Sequence, residues 1–268
     1  MSSLEQIDHL TLDERGAGPA VLVLHGGGGP VSVAAFVQAM AQSASVLAPT
    51  HPGFGGTPLL DGVETIADLA GLYAEVLRRR DLRDVLVVGF SVGGWIACEL
   101  ALLAPQRLRG LVLVNAVGIE VPSEPVADVF SLTARELAML SWHAPDKFFV
   151  DPATLPPERA SIMAANFRAL KGYGALPREA ERQRRGVASD PSLQARLAAV
   201  ATPTLVVWGE SDRVATLAYG KTLAASIPGA RFERIAECGH LPQIEQPARL
   251  LDLVGGFRQP PLDRGRPV

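Results

Sequence analysis

The chain has little in it that would cross-link it, coat it or anchor it. Its 268 residues contain two cysteines, Cys98 and Cys238, too few for a disulfide framework and without the spacing of a metal site. A small buried residue is the ordinary reading of Cys98. There is no surplus of positive charge: 25 Lys and Arg stand against 28 Asp and Glu, a net charge of −3. The arginines are scattered, which removes the basis for nucleic-acid binding. No apolar run approaches the ~20 residues that span a bilayer. Glu5 and Asp8 fall where a signal peptide would need an apolar core. These absences predict a cytoplasmic protein acting on a small molecule, with neither nucleic acid nor membrane as partner. They set no oligomeric state.

What is present is an ordinary globular composition, 48% hydrophobic and 20% charged, long enough for one large α/β domain or for a core carrying an insertion. Residues 7–13 alternate as a half-exposed strand does, and residues 20–24 read as a buried strand. A glycine run at 26–29 and an apolar helix over 31–42 follow. Next come a strand at 45–48, a long loop through Gly53, Gly55 and Gly56, and an amphipathic helix over 64–80. Two buried strands come after it, at 85–88 and 111–114. Strands alternating with helices, with glycines after the strands, predict an α/β fold with a mostly parallel, doubly wound sheet.

The alternation stops near Gly118. Residues 120–199 offer no convincing buried strand, only prolines, charges and helical pieces at 131–142, 157–170, 177–186 and 192–200. That stretch reads as a helical cap inserted over the sheet's carboxyl edge. A strand at 204–208, a helix at 216–227, a strand at 231–235 and a helix at 247–257 then complete the core. The predicted division is therefore core at 1–119 and 200–258, cap at 120–199, and a flexible tail at 259–268.

Three side chains fall directly after predicted parallel strands. Ser91 lies in Gly89-Phe90-Ser91-Val92-Gly93, a match to G-x-S-x-G. That motif places a serine on a sharp strand-to-helix turn and its next amide at a helix N-terminus. Asp212 follows the strand at 204–208, and His240 follows the strand at 231–235. All three should emerge at the same edge, where open α/β sheets bind ligands. The combination has a chemical logic: a serine hydroxyl is a poor nucleophile until an imidazole takes its proton, and the imidazole needs a carboxylate to hold its tautomer.

With these residues in view, the chain resembles the α/β-hydrolase fold family from about Ile7 to Phe257. His25-Gly26-Gly27-Gly28-Gly29-Pro30 is similar to that family's oxyanion loop. Pro49-Thr50-His51-Pro52-Gly53-Phe54-Gly55 is similar to its loop after the third strand, and the Gly209–Asp212 and Gly239–His240 segments resemble its acid and histidine motifs. The resemblance implies a Ser91–His240–Asp212 triad, an oxyanion hole formed by the amides of Gly27 and Val92, and no cofactor or metal. His25, Gly28, His51, Phe90, Trp142 and Leu241 become candidates to line the substrate pocket. Loop ordering is the plainer role for His25 and His51, and cap packing for Trp142. Thr50-His51 departs from the family, whose members more often carry an acidic and an apolar residue there.

Two other readings of the glycine run fail. No Gly-Lys-Ser/Thr follows it, as a phosphate loop requires, and no acid lies between Glu14 and Asp61 to hold a ribose. The leading expectation is a serine hydrolase of carboxylic esters, acting on a small to medium, largely apolar acyl substrate through an acyl-enzyme. The alternatives are carbon–carbon bond hydrolysis of a diketone ring-cleavage product, cofactor-free perhydrolase or haloperoxidase chemistry, and a hydrolase-like ligand receptor. Asp212 has three competitors for orienting His240: Glu210, Glu237, and an acid displaced to the loop after residues 111–114, a position some relatives use. There this chain offers Asn115, which cannot bear the charge, and Glu120 further on. Asp212→Asn, which preserves shape and removes charge, is expected to lower turnover at least ~10²-fold, while Glu210→Gln and Glu237→Gln stay within about tenfold of wild type. Steady-state kinetics of the three folded variants check this; collapse of a glutamate variant alone would move the acid.

Overall fold

The structure, a computed structural model, describes residues 9–173 and 189–258. In chain order the core runs β1 (Leu12–Arg15), β2 (Ala20–Leu24), α1 (Ala34–Met40), β3 (Ser45–Pro49), α2 (Ile66–Arg79), β4 (Val85–Phe90), α3 (Val92–Leu103) and β5 (Leu108–Val114). Among the described residues there follow α4 (Ala134–Ser141), α5 (Pro145–Phe148), α6 (Pro157–Tyr173) and α7 (Leu193–Arg196). The core resumes with β6 (Thr204–Gly209), α8 (Leu217–Ala225), β7 (Arg231–Ile235), α9 (Pro242–Glu245) and α10 (Pro247–Arg258).

The strands form one sheet in the order β1-β3-β2-β4-β5-β6-β7. Only β1 is antiparallel to its neighbour; every other pairing is parallel. β4 is buried along its whole length, as a central strand of a sheet covered on both faces must be. Its side chains divide with the two-residue period of a strand. Val85 and Val87 enter the apolar layer shared with α2, α3 and α8, while Leu86, Val88 and Phe90 enter the layer shared with α1 and α10. The amphipathic pattern of α2 is used as written, since Leu69, Leu72, Tyr73, Val76 and Leu77 are all buried. Its start is set by Thr65, whose hydroxyl accepts from the Asp68 N–H at 3.1 Å while Asp68 accepts from the Thr65 N–H at 2.9 Å. That reciprocal pair satisfies two otherwise orphaned donors.

The mostly parallel sheet with helices on both faces and a helical cap insertion is the architecture expected. Between β5 and β6 the described residues contain helices and the single-residue bridge Ile119–Asp190, and no strand. The far end of this stretch is tied to the core where Arg196 grips Glu99 of α3 with two hydrogen bonds of 2.7 and 2.6 Å, the planar fork matching the carboxylate. Two strand assignments are corrected. Of the strand expected at 7–13, residues 7 and 8 lie outside the described residues, and β1 starts at Leu12 and runs on to Arg15, because its partner is the end of β3 and the register pairs Leu12 with Pro49. β5 begins at Leu108 rather than Leu111, its first two residues only half-buried at the sheet's rim. The helix expected at 177–186 and the tail at 259–268 lie outside the described residues. No helix among the described residues is long and apolar enough to cross a membrane.

The passage from β4 to α3 is closely packed against backbone. A Cβ on Gly93 would collide with the carbonyl oxygens of Leu24 and His25, and one on Gly89 with the backbone of Gly93. Neither obstacle is a flexible side chain, so the backbone itself would have to shift. Gly93→Ala is therefore expected to destabilise the protein by roughly 1–3 kcal/mol, the usual cost of overpacking. A fall in urea midpoint without a change of slope would report it; a wild-type midpoint would show that the turn has room.

Candidate active site

Ser91 sits between β4 and α3 with φ 51° and ψ −117°, a conformation that costs a residue with a side chain about 1–3 kcal/mol. The surrounding backbone holds it there. The Ser91 N–H donates to Val114 O at 2.9 Å, and its carbonyl accepts from the N–H groups of Gly94 at 2.9 Å and Val117 at 3.2 Å. The strained residue is thus bound to β5 as well as to its own helix. The turn lifts the hydroxyl out of the sheet, and the side chain is partly open to solvent while its neighbours are buried. Val92 is the first residue of α3, so its N–H has no acceptor within the helix.

Asp212 and His240 reach the same point from β6 and β7. His240 Nε2 lies 3.0 Å from Ser91 Oγ, and His240 Nδ1 lies 2.7 Å from Asp212 Oδ2. The Asp212 carboxylate is 3% exposed and fully occupied. Oδ2 accepts from His240 and from Asn115 Nδ2 at 2.6 Å, and Oδ1 accepts from the N–H groups of Val214 at 2.8 Å and Ala215 at 3.1 Å. A buried carboxylate held by this many donors cannot swing away. With the acid facing Nδ1, the imidazole presents Nε2 toward Ser91. Of Asp212, Glu210 and Glu237, Asp212 is the one that reaches His240. Glu210 pairs instead with Arg234 at 3.2 Å, and Glu237 is exposed.

His25, His51 and Phe90 require a correction as pocket residues. Phe90 turns down into the core and meets Phe36 edge to face at 5.2 Å. His25 and His51 are completely buried beneath the glycine loop, and their ring nitrogens are committed. His25 Nε2 accepts from the His51 N–H at 3.0 Å, so its Nδ1 carries the proton and donates to Gly26 O at 2.8 Å. His51 Nε2 donates to the His25 carbonyl at 3.0 Å, which leaves Nδ1 to accept from the Tyr73 hydroxyl. Trp142 is half-buried in the cap, stacked on Phe148 with ring centroids 5.1 Å apart. Leu241 and Gly27 are half-buried, and Gly28 is exposed.

Four supporting residues escaped the sequence reading. Asn115, weighed there only as a site for a displaced acid, is instead a donor to the acid. Its place directly after β5 was the available signal. The Ser141 carbonyl at the end of α4 accepts from the His240 N–H at 2.6 Å. Glu245 accepts from the backbone of Gly239 on one oxygen and of His143 on the other. Asn166 of α6 bonds Gly28 and Gly55. The contacts of Ser141 and Asn166, and that of Glu245 with His143, join segments distant in sequence, and no local pattern announces them. Among the described residues there is no group of three His, Cys, Asp or Glu side chains that could hold a metal ion.

The profile of the alpha/beta hydrolase family matches residues 21–253. The chain is 31% identical over 256 residues to a 2-hydroxymuconate semialdehyde hydrolase of Pseudomonas sp. (strain CF600), covering 92% of this chain and 89% of the relative. It is 30% identical over 276 residues to a 2-hydroxy-6-oxo-2,4-heptadienoate hydrolase of Pseudomonas putida, covering 92% and 91%. A solved meta-cleavage product hydrolase from Pseudomonas fluorescens IP01 superimposes with a TM-score of 0.73 at 20% identity over 92% of this chain and 93% of that one, a likeness of fold alone. These relatives overturn the ester expectation. The compounds in the first two names contain no ester bond, so their hydrolysis must break carbon–carbon bonds.

The two buried imidazoles beneath the loop also make the fold sensitive to acid. Burial pushes His25 down to about 4, and burial together with the neighbouring His25 pushes His51 well below the ordinary imidazole value. An unfolded chain takes up these protons from about pH 6.5 downward, whereas the folded chain refuses them. Stability is therefore full above about pH 6.5 and falls as pH drops toward 4, by about 1.4 kcal/mol per pH unit for each histidine. Urea unfolding at a series of pH values above the carboxylate range should show this decline. A flat profile from neutral to about pH 5 would mean that the rings charge in place without penalty.

Proposed function

The chain belongs to the alpha/beta hydrolase family, and from that premise we propose that it hydrolyses a carbon–carbon bond in a 2-hydroxy-6-oxo-dienoate, the diketone-type product of aromatic ring cleavage. One observation carries the reading: identity of 30–31% to two such hydrolases across about nine-tenths of both chains.

The triad geometry is suited to the reaction. A carbon leaving group can depart only if its electron pair is delocalised. Ketonisation of the 2-hydroxy group achieves this by placing C5 in conjugation with the C2 carbonyl through the C3–C4 double bond. Ser91 Oγ, its proton taken by His240, then adds to the C6 carbonyl, and the oxyanion is received by the N–H groups of Gly27 and Val92. Collapse of that intermediate breaks the C5–C6 bond, and the electron pair is delocalised through the C3–C4 double bond onto the C2 oxygen. The proton held by His240 passes to that oxygen to give the dienol, leaving His240 neutral again. The acyl group remains on Ser91 until water, activated by His240, releases it as a carboxylate. Asp212 holds His240 in the required tautomer throughout. No cofactor enters the scheme.

The conjugated substrate absorbs visible light and its products do not, which makes the test direct. Purified protein is offered 2-hydroxy-6-oxo-2,4-heptadienoate beside p-nitrophenyl esters of graded length. The expected result is a kcat/KM for the dienoate at least ~10²-fold above that for any ester, and a loss on the order of 10⁴-fold in Ser91→Ala. An inert dienoate beside rapid ester turnover would defeat the proposal.

A further inference from the structure

The longest cap helix rests on the glycine loop rather than standing clear of it. On α6, Asn166, Ala169, Leu170 and Tyr173 follow the spacing of one helical face. Leu170 covers Gly27, where an added Cβ would come within 2.7 Å of Leu170 Cδ2. Tyr173 stacks on Phe54 with centroids 6.4 Å apart, and Phe54 in turn meets the His25 ring at 5.0 Å. Asn166 is 4% exposed, with both ends of its amide engaged. Nδ2 donates to Gly28 O at 3.1 Å, and Oδ1 accepts from the Gly55 N–H at 2.7 Å.

The Gly28 contact is propagated through two peptide planes. In a trans peptide the C=O and the following N–H point in opposite directions. Holding the Gly28 carbonyl therefore directs the Gly29 N–H, and this group donates to Gly26 O at 3.0 Å. Holding the Gly26 carbonyl in turn directs the Gly27 N–H. The same Gly26 oxygen receives His25 Nδ1 at 2.8 Å, so the plane is held from the cap side and from the core side. Gly29 has φ 76°, and a Cβ there would collide with the Asn166 side chain. The loop can take this path only with glycine beneath the helix.

We propose that Asn166 is a positioning residue for the oxyanion hole: the cap, through Asn166 and the Gly28–Gly29 and Gly26–Gly27 peptides, aims the Gly27 N–H at the oxygen that becomes charged. The inference rests on the reading of Ser91 as nucleophile and Gly27 as donor, and it assigns the cap a part in rate as well as in substrate selection. It makes a distinction that a packing role would not. A misdirected donor weakens binding of the tetrahedral oxyanion and leaves ground-state binding nearly intact, so kcat falls and KM does not.

The decisive variant is Asn166→Asp, which keeps the shape and the acceptor for Gly55 but cannot donate to Gly28. Two rates are compared with wild type: turnover of the dienoate, and covalent labelling of Ser91 by a fluorophosphonate, which needs the oxyanion hole but no particular substrate. Expected are losses of about tenfold or more in kcat and in labelling rate, with KM within about threefold, part of the ~10²–10³ that a whole donor supplies. A folded Asn166→Asp with wild-type labelling and kcat overturns the inference while leaving the proposed function standing. Absence of labelling in the wild type overturns both. Should the variant fail to fold, hydrogen exchange on the wild-type chain decides. Phosphonylation of Ser91 should then raise protection in residues 25–30 and in α6 together, and protection of the loop alone would refute the coupling.

Discussion

The backbone of Ser91 is held in a conformation that its own side chain disfavours, with φ 51° and ψ −117°, and the neighbouring elements are arranged to keep it there. The last residue of β5, Val114, accepts from the Ser91 N–H, and Val117 in the loop beyond that strand donates to the Ser91 carbonyl. The close approach of α3 to the end of β2 leaves no space for a side chain at Gly93. The same closeness brings the glycine loop after β2 alongside the serine, with Gly26 against Phe90 O and Ser91 Cβ. A relaxed serine would lie within the sheet, its hydroxyl out of reach of an imidazole delivered by β7. The strain is local, and the stability of a large parallel sheet supports it.

Around that point the protein concentrates polar groups in a place it has otherwise made apolar. Asp212 receives four donors and is almost completely covered. Asn115 binds it and also accepts from Gly209 at 3.3 Å, so one amide braces both the acid and the strand end that carries it. Burying a charge is tolerable only when its oxygens are satisfied, and satisfying them also fixes direction. The requirement of burial and the requirement of catalysis are met by the same hydrogen bonds.

The cap is bonded into this arrangement at two places. At the histidine, the Ser141 carbonyl and the Glu245 carboxylate join the end of α4 to the His240 loop. At the glycine loop, Asn166 and Leu170 of α6 lie on residues 27–29. Beneath the loop, the His25–His51–Tyr73 chain supports it from the core, with neutral rings that burial enforces. The loop is thus layered between a cap helix and a buried imidazole pair, and neither layer alone accounts for its path.

Much of this was legible from the amino acids in order. Continuous β-branched runs, an amphipathic helix over 64–80 and glycines after strands determine a parallel α/β sheet, because period and turn chemistry are local properties. Ser91, Asp212 and His240 were legible for the same reason: each directly follows a strand, and parallel strands deliver their ends to one edge. What the sequence by itself left open was every relation between segments far apart in the chain. His51 and Phe90 read as residues near a pocket, yet sheet alternation turns Phe90 into the core and the loop's path buries His51 against Tyr73. Nothing beside Asn166 in the chain marks it as a partner of Gly28, since its role exists only once α6 lies across the loop. Local periodicity determines which elements form and which edge carries the triad. Tertiary packing alone decides which distant carbonyls and N–H groups meet, because those hydrogen bonds join residues with no short-range relationship to encode.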